Sequence, residues 1–262
     1  MRTSLNRTLG VAGLTGALLV GGCNSTLNDA TASGTTTPAS ATGVWTGTDS
    51  VSGLTVIALI NAAGQATFIR GDGLQFTGSV QVSGTTLAAS VDGYTDFNTT
   101  FSDGSTYGIG TLNGSVTTGD SITATLSFTS NGGTAVSGSW SLTFQGVSNN
   151  ASSDSTISGN YTDVVTGAVL SITSLGVMSS QNPANSCVLN GSVTTHDTAH
   201  DLYEVSYTFG TCASTYAVLN GVQFTGLATL NTNVSPAQIT MAVIGTSTAG
   251  NQYGIVSTLN GS

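Results

Sequence analysis

From residue 42 onward the chain reads as short runs of β-forming residues separated by glycine, asparagine and aspartate. No stretch keeps the apolar spacing of a helix. The runs 54–60, 65–70, 74–82, 85–91, 107–116, 121–128 and 135–144 predict strands in the first half, and 188–194 and 203–209 in the second. Asn-Gly, Asp-Gly and Gly-Asp pairs fall between such runs, where residues that tolerate positive φ make tight hairpins. Strands joined in order by hairpins form an antiparallel meander, and closing the meander removes its exposed edges. The expected fold class is all-β, as barrels or sandwiches.

The pattern occurs twice. Thr42-Gly43-Val44-Trp45-Thr46-Gly47 opens the first half, and Ser158-Gly159-Asn160-Tyr161-Thr162-Asp163 opens the second. An aliphatic run follows each, Leu54–Ile60 and Val169–Ile172, and each then reaches a Gly-Ser-Val, at 78–80 and 191–193. Phe76-Thr77-Gly78 recurs as Phe224-Thr225-Gly226 at a different place in the unit, and Tyr107-Gly108-Ile109 recurs as Tyr253-Gly254-Ile255 near each unit's end. Two antiparallel meander domains are expected, at 42–147 and 157–262. The polar stretch 148–156 is read as the linker between them.

Ahead of this body lies a different kind of sequence. Arg2 and Arg7 precede an apolar run from Leu9 to Val20, the layout of a secretory signal peptide. The run is shorter than the ~20 apolar residues needed to span a bilayer. It ends in Leu19-Val20-Gly21-Gly22-Cys23, which resembles the lipobox of bacterial lipoproteins. That resemblance implies cleavage after residue 22 and lipid (diacylglycerol and palmitate-type acyl chains) on Cys23. Each buried methylene adds about 0.8 kcal/mol to the anchor. Asn24 in place of aspartate after the cysteine implies, by the lipoprotein sorting rule, the outer membrane. Residues 23–41, rich in serine and threonine, are read as a flexible tether.

Gly43-Val44-Trp45 resembles the Gly-x-Trp opening of lipocalin and avidin-like barrels, in that tripeptide alone. More broadly the chain resembles uncharacterised lipoproteins of Gram-negative bacteria. The features that carry this are Val20 to Cys23, Gly43-Val44-Trp45, Gly159-Asn160-Tyr161-Thr162 and the cysteines 187 and 212. The resemblance implies a location in the cell envelope and supplies no chemistry.

Charge narrows the partners. Arg2, Arg7 and Arg70 are the only basic residues besides two histidines, and all twelve acids follow Cys23. Once the signal segment is removed, one arginine faces twelve acids, a net charge of about −11. Phosphate neutralisation needs lysine and arginine, so nucleic acid is excluded as a partner. An electrostatic grip on anionic lipid is excluded too, leaving the membrane as a partner only through the lipid anchor. With Cys23 committed to lipid, Cys187 and Cys212 are expected to pair as a disulfide in an oxidising compartment. The closed loop of about 25 residues would add roughly 3 kcal/mol.

Candidate chemistry is sparse. His196-Asp197-Thr198-Ala199-His200-Asp201 holds both histidines and two carboxylates, so His196, His200, Asp197 and Asp201 are metal-ligand candidates set against a solvated hairpin turn. Arg70-Gly71-Asp72 is expected at a hairpin tip, where the tripeptide could be presented for adhesion or could simply turn the chain. Asp92, Asp96 and Asp103 lie near Tyr94 and Phe97, a combination usable on sugars. No nucleophile elbow and no phosphate-binding glycine loop is present in the sequence. The expectation is a non-catalytic envelope protein without a cofactor, acting by binding or structural contact. Envelope proteins, glycans or a small hydrophobic ligand are the possible partners. A ligand carrier using a barrel lumen is the alternative, and a metal-dependent or carbohydrate-active enzyme the third reading. A lumen packed with large side chains would leave no room for a ligand.

Overall fold

The structure is a computed structural model that describes residues 38–182, 186–247 and 249–262. The signal segment, Cys23 and the tether up to residue 37 lie outside the described residues. Eight strands make up the first half: β1 (Gly43–Asp49), β2 (Thr55–Ile60), β3 (Gln65–Arg70), β4 (Gln75–Ser83), β5 (Thr86–Tyr94), β6 (Tyr107–Thr117), β7 (Ser121–Ser130) and β8 (Ala135–Phe144). Eight more follow: β9 (Gly159–Asp163), β10 (Val169–Ile172), β11 (Val177–Gln181), β12 (Val188–Asp197), β13 (Leu202–Phe209), β14 (Gln223–Asn231), β15 (Gln238–Thr246) and β16 (Gln252–Gly261). Each set is an antiparallel meander whose last strand pairs with its first, β8 with β1 and β16 with β9, so both sheets are closed barrels. Short 3₁₀ turns at Gly146–Asn149 and Ser214–Leu219 are the helical elements among the described residues.

Alternation along each strand builds the barrel wall. In β7, Ile122, Ala124, Leu126 and Phe128 are buried, while Thr123, Thr125, Ser127 and Thr129 face out. The same period of two places Trp45, Phe68, Phe76, Leu87, Leu112 and Trp140 in one cluster at the centre of the first barrel. Burying a large apolar side chain of this kind contributes roughly 1.5–3 kcal/mol. Trp45 also has its indole N–H satisfied, donating to the Ala41 carbonyl at 2.8 Å. In the second barrel Tyr161 takes the corresponding place, and its hydroxyl donates to the Ile157 carbonyl at 2.9 Å. Each ring reaches back four residues to close one end of its barrel.

The two halves match in detail over their first four strands. Trp45 lies opposite Ala58, and Tyr161 opposite Leu170. In the first hairpin Asp49 Oδ1 accepts the Val51 N–H, as Asp163 Oδ1 accepts that of Val165. In the second hairpin Gly64 donates to Asn61 and Gly176 to Thr173. The Gly64 carbonyl then accepts the Val80 N–H, and the Gly176 carbonyl that of Val193. The repeated Gly-Ser-Val is therefore a true structural repeat. The Tyr-Gly-Ile echo is not, because it sits on β6 in one barrel and on β16, the counterpart of β8, in the other. Phe-Thr-Gly likewise falls on β4 and on β14, which is the counterpart of β6.

The barrels share an apolar seam of Val44, Leu59 and Val147 with Leu202 and Leu227. A short backbone splice adds to it: Gly254 donates to the Thr95 carbonyl at 3.0 Å and accepts the Phe97 N–H at 2.9 Å. Asp154, in the connector, accepts both the backbone N–H and the hydroxyl of Thr195.

Gly64 and Gly176 carry φ of +81° and +74°, and a Cβ at Gly176 would lie 2.1 Å from the Val193 carbonyl oxygen. Gly250 has a similar φ of +83° with open space around it. Gly176→Ala is therefore expected to cost clearly more than Gly250→Ala, which bears only the ~1 kcal/mol conformational term. Urea denaturation of the two variants measures the difference.

Candidate functional site

The two barrel interiors differ at one end. In the first barrel, Phe68 and Trp140 pack with ring centroids 5.3 Å apart, and Phe76 lies 5.8 Å from Trp140. Register across the duplicated hairpins identifies their counterparts. Phe68 faces Ala58 as Ser180 faces Leu170. Trp140 faces Ala124, and Ser257 faces Met241, in strand pairs whose next inward pairs are Leu142–Ile122 and Leu259–Ile239 respectively. Phe76 precedes the Gly-Ser-Val of the first barrel by two residues, as Leu189 precedes that of the second. Large rings have thus given way to serine, serine and leucine.

A cavity of about 310 Å³ occupies the second barrel at this position, and Ser180, Leu189, Ser257, Leu170 and Met241 all line it. Tyr207 stands at its inner side, stacked on Phe224 with centroids 5.6 Å apart. The mouth is built from connections. Cys187, before β12, and Cys212, after β13, are joined in a disulfide, tying two connections together at the rim. The first barrel contributes the remaining wall: Asp96, Phe97 and Asn98, from its long β5–β6 connection, line the same cavity. Phe97 is held there by Tyr216 and Tyr253, at 5.5 and 5.4 Å.

Two carboxylates border the cavity. Burial raises the Asp96 carboxyl above its ordinary value, against the opposing pull of backbone N–H groups from Phe97 and Val256. Asp163 Oδ1 accepts the Val165 and Thr166 N–H groups and the Thr166 hydroxyl. Burial drives the Tyr207 phenol far upward, and the charges of Asp96 and Asp163 push it the same way, so both carboxylates act on this one ring. A second groove, of about 360 Å³, runs between the barrels and is lined mainly by glycine, serine and threonine with Glu204. Glu204 already pairs with His196, Oε1 to Nδ1 at 2.8 Å.

The residues singled out from the sequence are dispersed. Arg70 is not displayed for adhesion: its side chain is 10 % exposed, its Nε and Nη2 donate to Asp72 at 3.0 and 2.7 Å, and Nη1 lies 3.9 Å from the buried Asp49. Burial would raise the Asp72 carboxyl, but the bond to Arg70 and its charge outweigh that and hold it below the ordinary range. The turn at Gly71 places the tripeptide as expected, yet both charges are spent internally.

His196, His200, Asp197 and Asp201 do not assemble as a donor set. His196 faces Glu204, while His200 Nδ1 pairs with Asp197 Oδ2. Asp201 is turned into the barrel, 2 % exposed, beside Tyr203. Among the described residues no group of three or more His, Cys, Asp and Glu side chains could hold a metal ion. Asp92, Asp96 and Asp103 are also separate. Asp92 accepts the Tyr107 hydroxyl at 2.8 Å. Asp103 accepts the Ser105 hydroxyl at 2.6 Å, the Ser130 hydroxyl and the Thr134 N–H, which together hold it well below the ordinary range.

Sequence reading missed Asn98, Ser180, Tyr207, Tyr216 and Ser257 as site residues. For Ser180 and Ser257 the signal was present as a large-to-small difference between repeats, visible only once the strands are in register. No protein-family model matches the chain, and no curated protein matches it in sequence.

The buried Asp201 makes stability depend on pH. Burial raises its carboxyl to about 7, against the opposing pull of the Tyr203 hydroxyl and the Leu230 backbone. The folded state therefore keeps a proton that the unfolded chain releases near pH ~4. The contribution is fully present below about pH 4 and is lost as pH rises through about 7. Thermal melts at about pH 5 and about pH 9 are expected to show the lower midpoint at the higher pH. Asp201→Asn, which cannot ionise, should remove most of that difference.

Proposed function

We propose that this chain is a non-catalytic, lipid-anchored protein of the cell envelope that holds a small apolar ligand in its second barrel. The observation that carries the ligand reading is the cavity of about 310 Å³ lying where the first barrel places Phe68 and Trp140. The first barrel is then the packed body and the second the binding module. At roughly 30 Å³ per water-sized group, the space suits a ligand of about ten such groups. The walls fit that use: apolar side chains predominate, with a few polar groups at the rim.

The envelope location rests on the sequence. The stretch ending in Leu19-Val20-Gly21-Gly22-Cys23 has the form of a lipobox, and Asn24 favours the outer membrane. No helix among the described residues is long and apolar enough to cross a membrane. The proposed attachment is the lipid on Cys23. A pair of acyl chains suffices for stable anchoring where a single one does not.

Two measurements test the proposal. Mass spectrometry of the membrane-fraction protein is expected to find Cys23 as an acylated N-terminus, with Cys23→Ala moving the chain out of that fraction; an unmodified N-terminus would overturn the anchor. For the ligand, indole is the probe, added to the Cys23→Ala chain in an isothermal titration. Saturable binding at one site per chain is expected. Refilling the space with Ser257→Trp should abolish it while leaving the melting temperature at or above that of the parent. Heat that is absent, or unchanged in the refilled variant, would overturn the ligand site.

A further inference from the structure

We infer that the ligand of the second barrel is an organic cation: an apolar, ring-sized body carrying an ammonium or guanidinium group. This rests on the ligand site proposed above and specifies what it takes.

The first barrel supplies the template. Its hairpin aspartate, Asp49, is fully buried, and the Arg70 guanidinium lies 3.9 Å from it. Beside that pair stand the rings of Phe68 and Trp140. The filling of this barrel end is therefore a pair of rings with a cation set against a carboxylate, and all of it comes from the chain. In the second barrel the carboxylate remains. Asp163 opens the equivalent hairpin and accepts the same N–H from the residue two further on, but it lies two residues beyond Tyr161 where Asp49 lies four beyond Trp45, so it faces Leu259, the counterpart of Leu142. The rings are replaced by Ser180 and Ser257.

The cation is replaced as well. Arg70 lies two residues beyond Phe68, and Asn182 lies two residues beyond Ser180; Asn182 lines the cavity. No lysine or arginine follows Arg70 anywhere in the sequence. The second barrel thus keeps a hairpin carboxylate at its cavity and has neither the rings nor the guanidinium that stand near the one in its twin. An aromatic amine or guanidine would supply both.

Further features point the same way. A second carboxylate, Asp96, reaches the cavity from the first barrel, and its burial has no basic residue to offset it. Aromatic rings at the mouth, Phe97 and Tyr216, offer π-faces on which a cation is attracted. The folded body, with one arginine that is already paired, presents a negative field to anything approaching. An anionic ligand would meet two carboxylates in a cavity with no basic side chain among its lining residues.

The test compares three indoles that differ in one terminal group: tryptamine, tryptophol and indole-3-propionate, titrated into the Cys23→Ala chain near neutral pH. Tryptamine is expected to bind about tenfold or more tighter than tryptophol, since a desolvated charge-assisted contact is worth that much, and indole-3-propionate more weakly than either. Asp163→Asn keeps the Oδ1 acceptor that caps the hairpin and should bring tryptamine down to the level of tryptophol without changing tryptophol itself. Asn182→Arg, which rebuilds the internal cation of the first barrel, should weaken tryptamine more than tryptophol. Equal affinities for tryptamine and tryptophol would overturn the cation assignment while leaving an apolar ligand site in place. Failure of all three to bind would instead overturn the site itself, and matching thermal melts of the variants confirm that folding is not the cause.

Discussion

The interior of a closed eight-stranded sheet is just wide enough to be filled by side chains, and something has to fill it. That constraint organises this molecule. Closure removes the exposed strand edges and satisfies the backbone, but it creates a lumen in which every vacancy costs lost packing. The first barrel meets the demand with rings: Trp45, Phe68, Phe76, Phe128 and Trp140 lie in one cluster. The second meets it over most of its length with Tyr161, Tyr203, Tyr207, Phe224 and aliphatic side chains, and stops short at one end. The two barrels share a plan and differ in how completely they are filled.

The same contrast governs charge. A carboxylate taken out of water needs donors or a cation. Asp49 has the Ser52 hydroxyl, two backbone N–H groups and Arg70 nearby, and although burial pushes it up these partners prevail and its carboxyl is lowered. Asp201 and Asp96 lie in parts of the structure without such a cation, and both are raised by burial. With one arginine in the body, the chain can neutralise one buried acidic site and uses it in the first barrel. The chemistry of the second barrel follows from that allocation.

Much of the architecture was legible in the sequence because outward positions are almost uniformly Ser, Thr or Asn, as in β7, so strand limits stand out against glycine turns. β2 to β8 fall within three residues of the runs that the sequence pattern predicts. Closure itself was left open between barrel and sandwich, since the pairing of β8 with β1 joins residues about a hundred apart and no local pattern encodes it. The cavity was illegible for a related reason. Ser180 and Ser257 look like every other serine in a serine-rich chain; only alignment on Phe68 and Trp140 marks them as missing rings. Arg70-Gly71-Asp72 misled in the opposite direction, because a three-residue motif does not reveal that its arginine folds inward onto Asp49 and Asp72.

Duplication alone would yield two interchangeable modules, but the seam makes them unequal partners. The β5–β6 connection of the first barrel crosses to the second, pairs with Gly254 through two backbone hydrogen bonds, and sets Phe97 against Tyr216 and Tyr253. Gly254 is needed there, since a Cβ would lie 2.5 Å from Gln75 Nε2 and 3.2 Å from the Thr95 carbonyl oxygen. The corresponding β13–β14 connection carries Cys212, which its disulfide ties to Cys187 just before the neighbouring strand β12. A filled barrel gains nothing for itself by extending a loop over its neighbour. It does complete the wall of the cavity that the neighbour leaves unfilled, so the packed barrel shapes that cavity along with its neighbour.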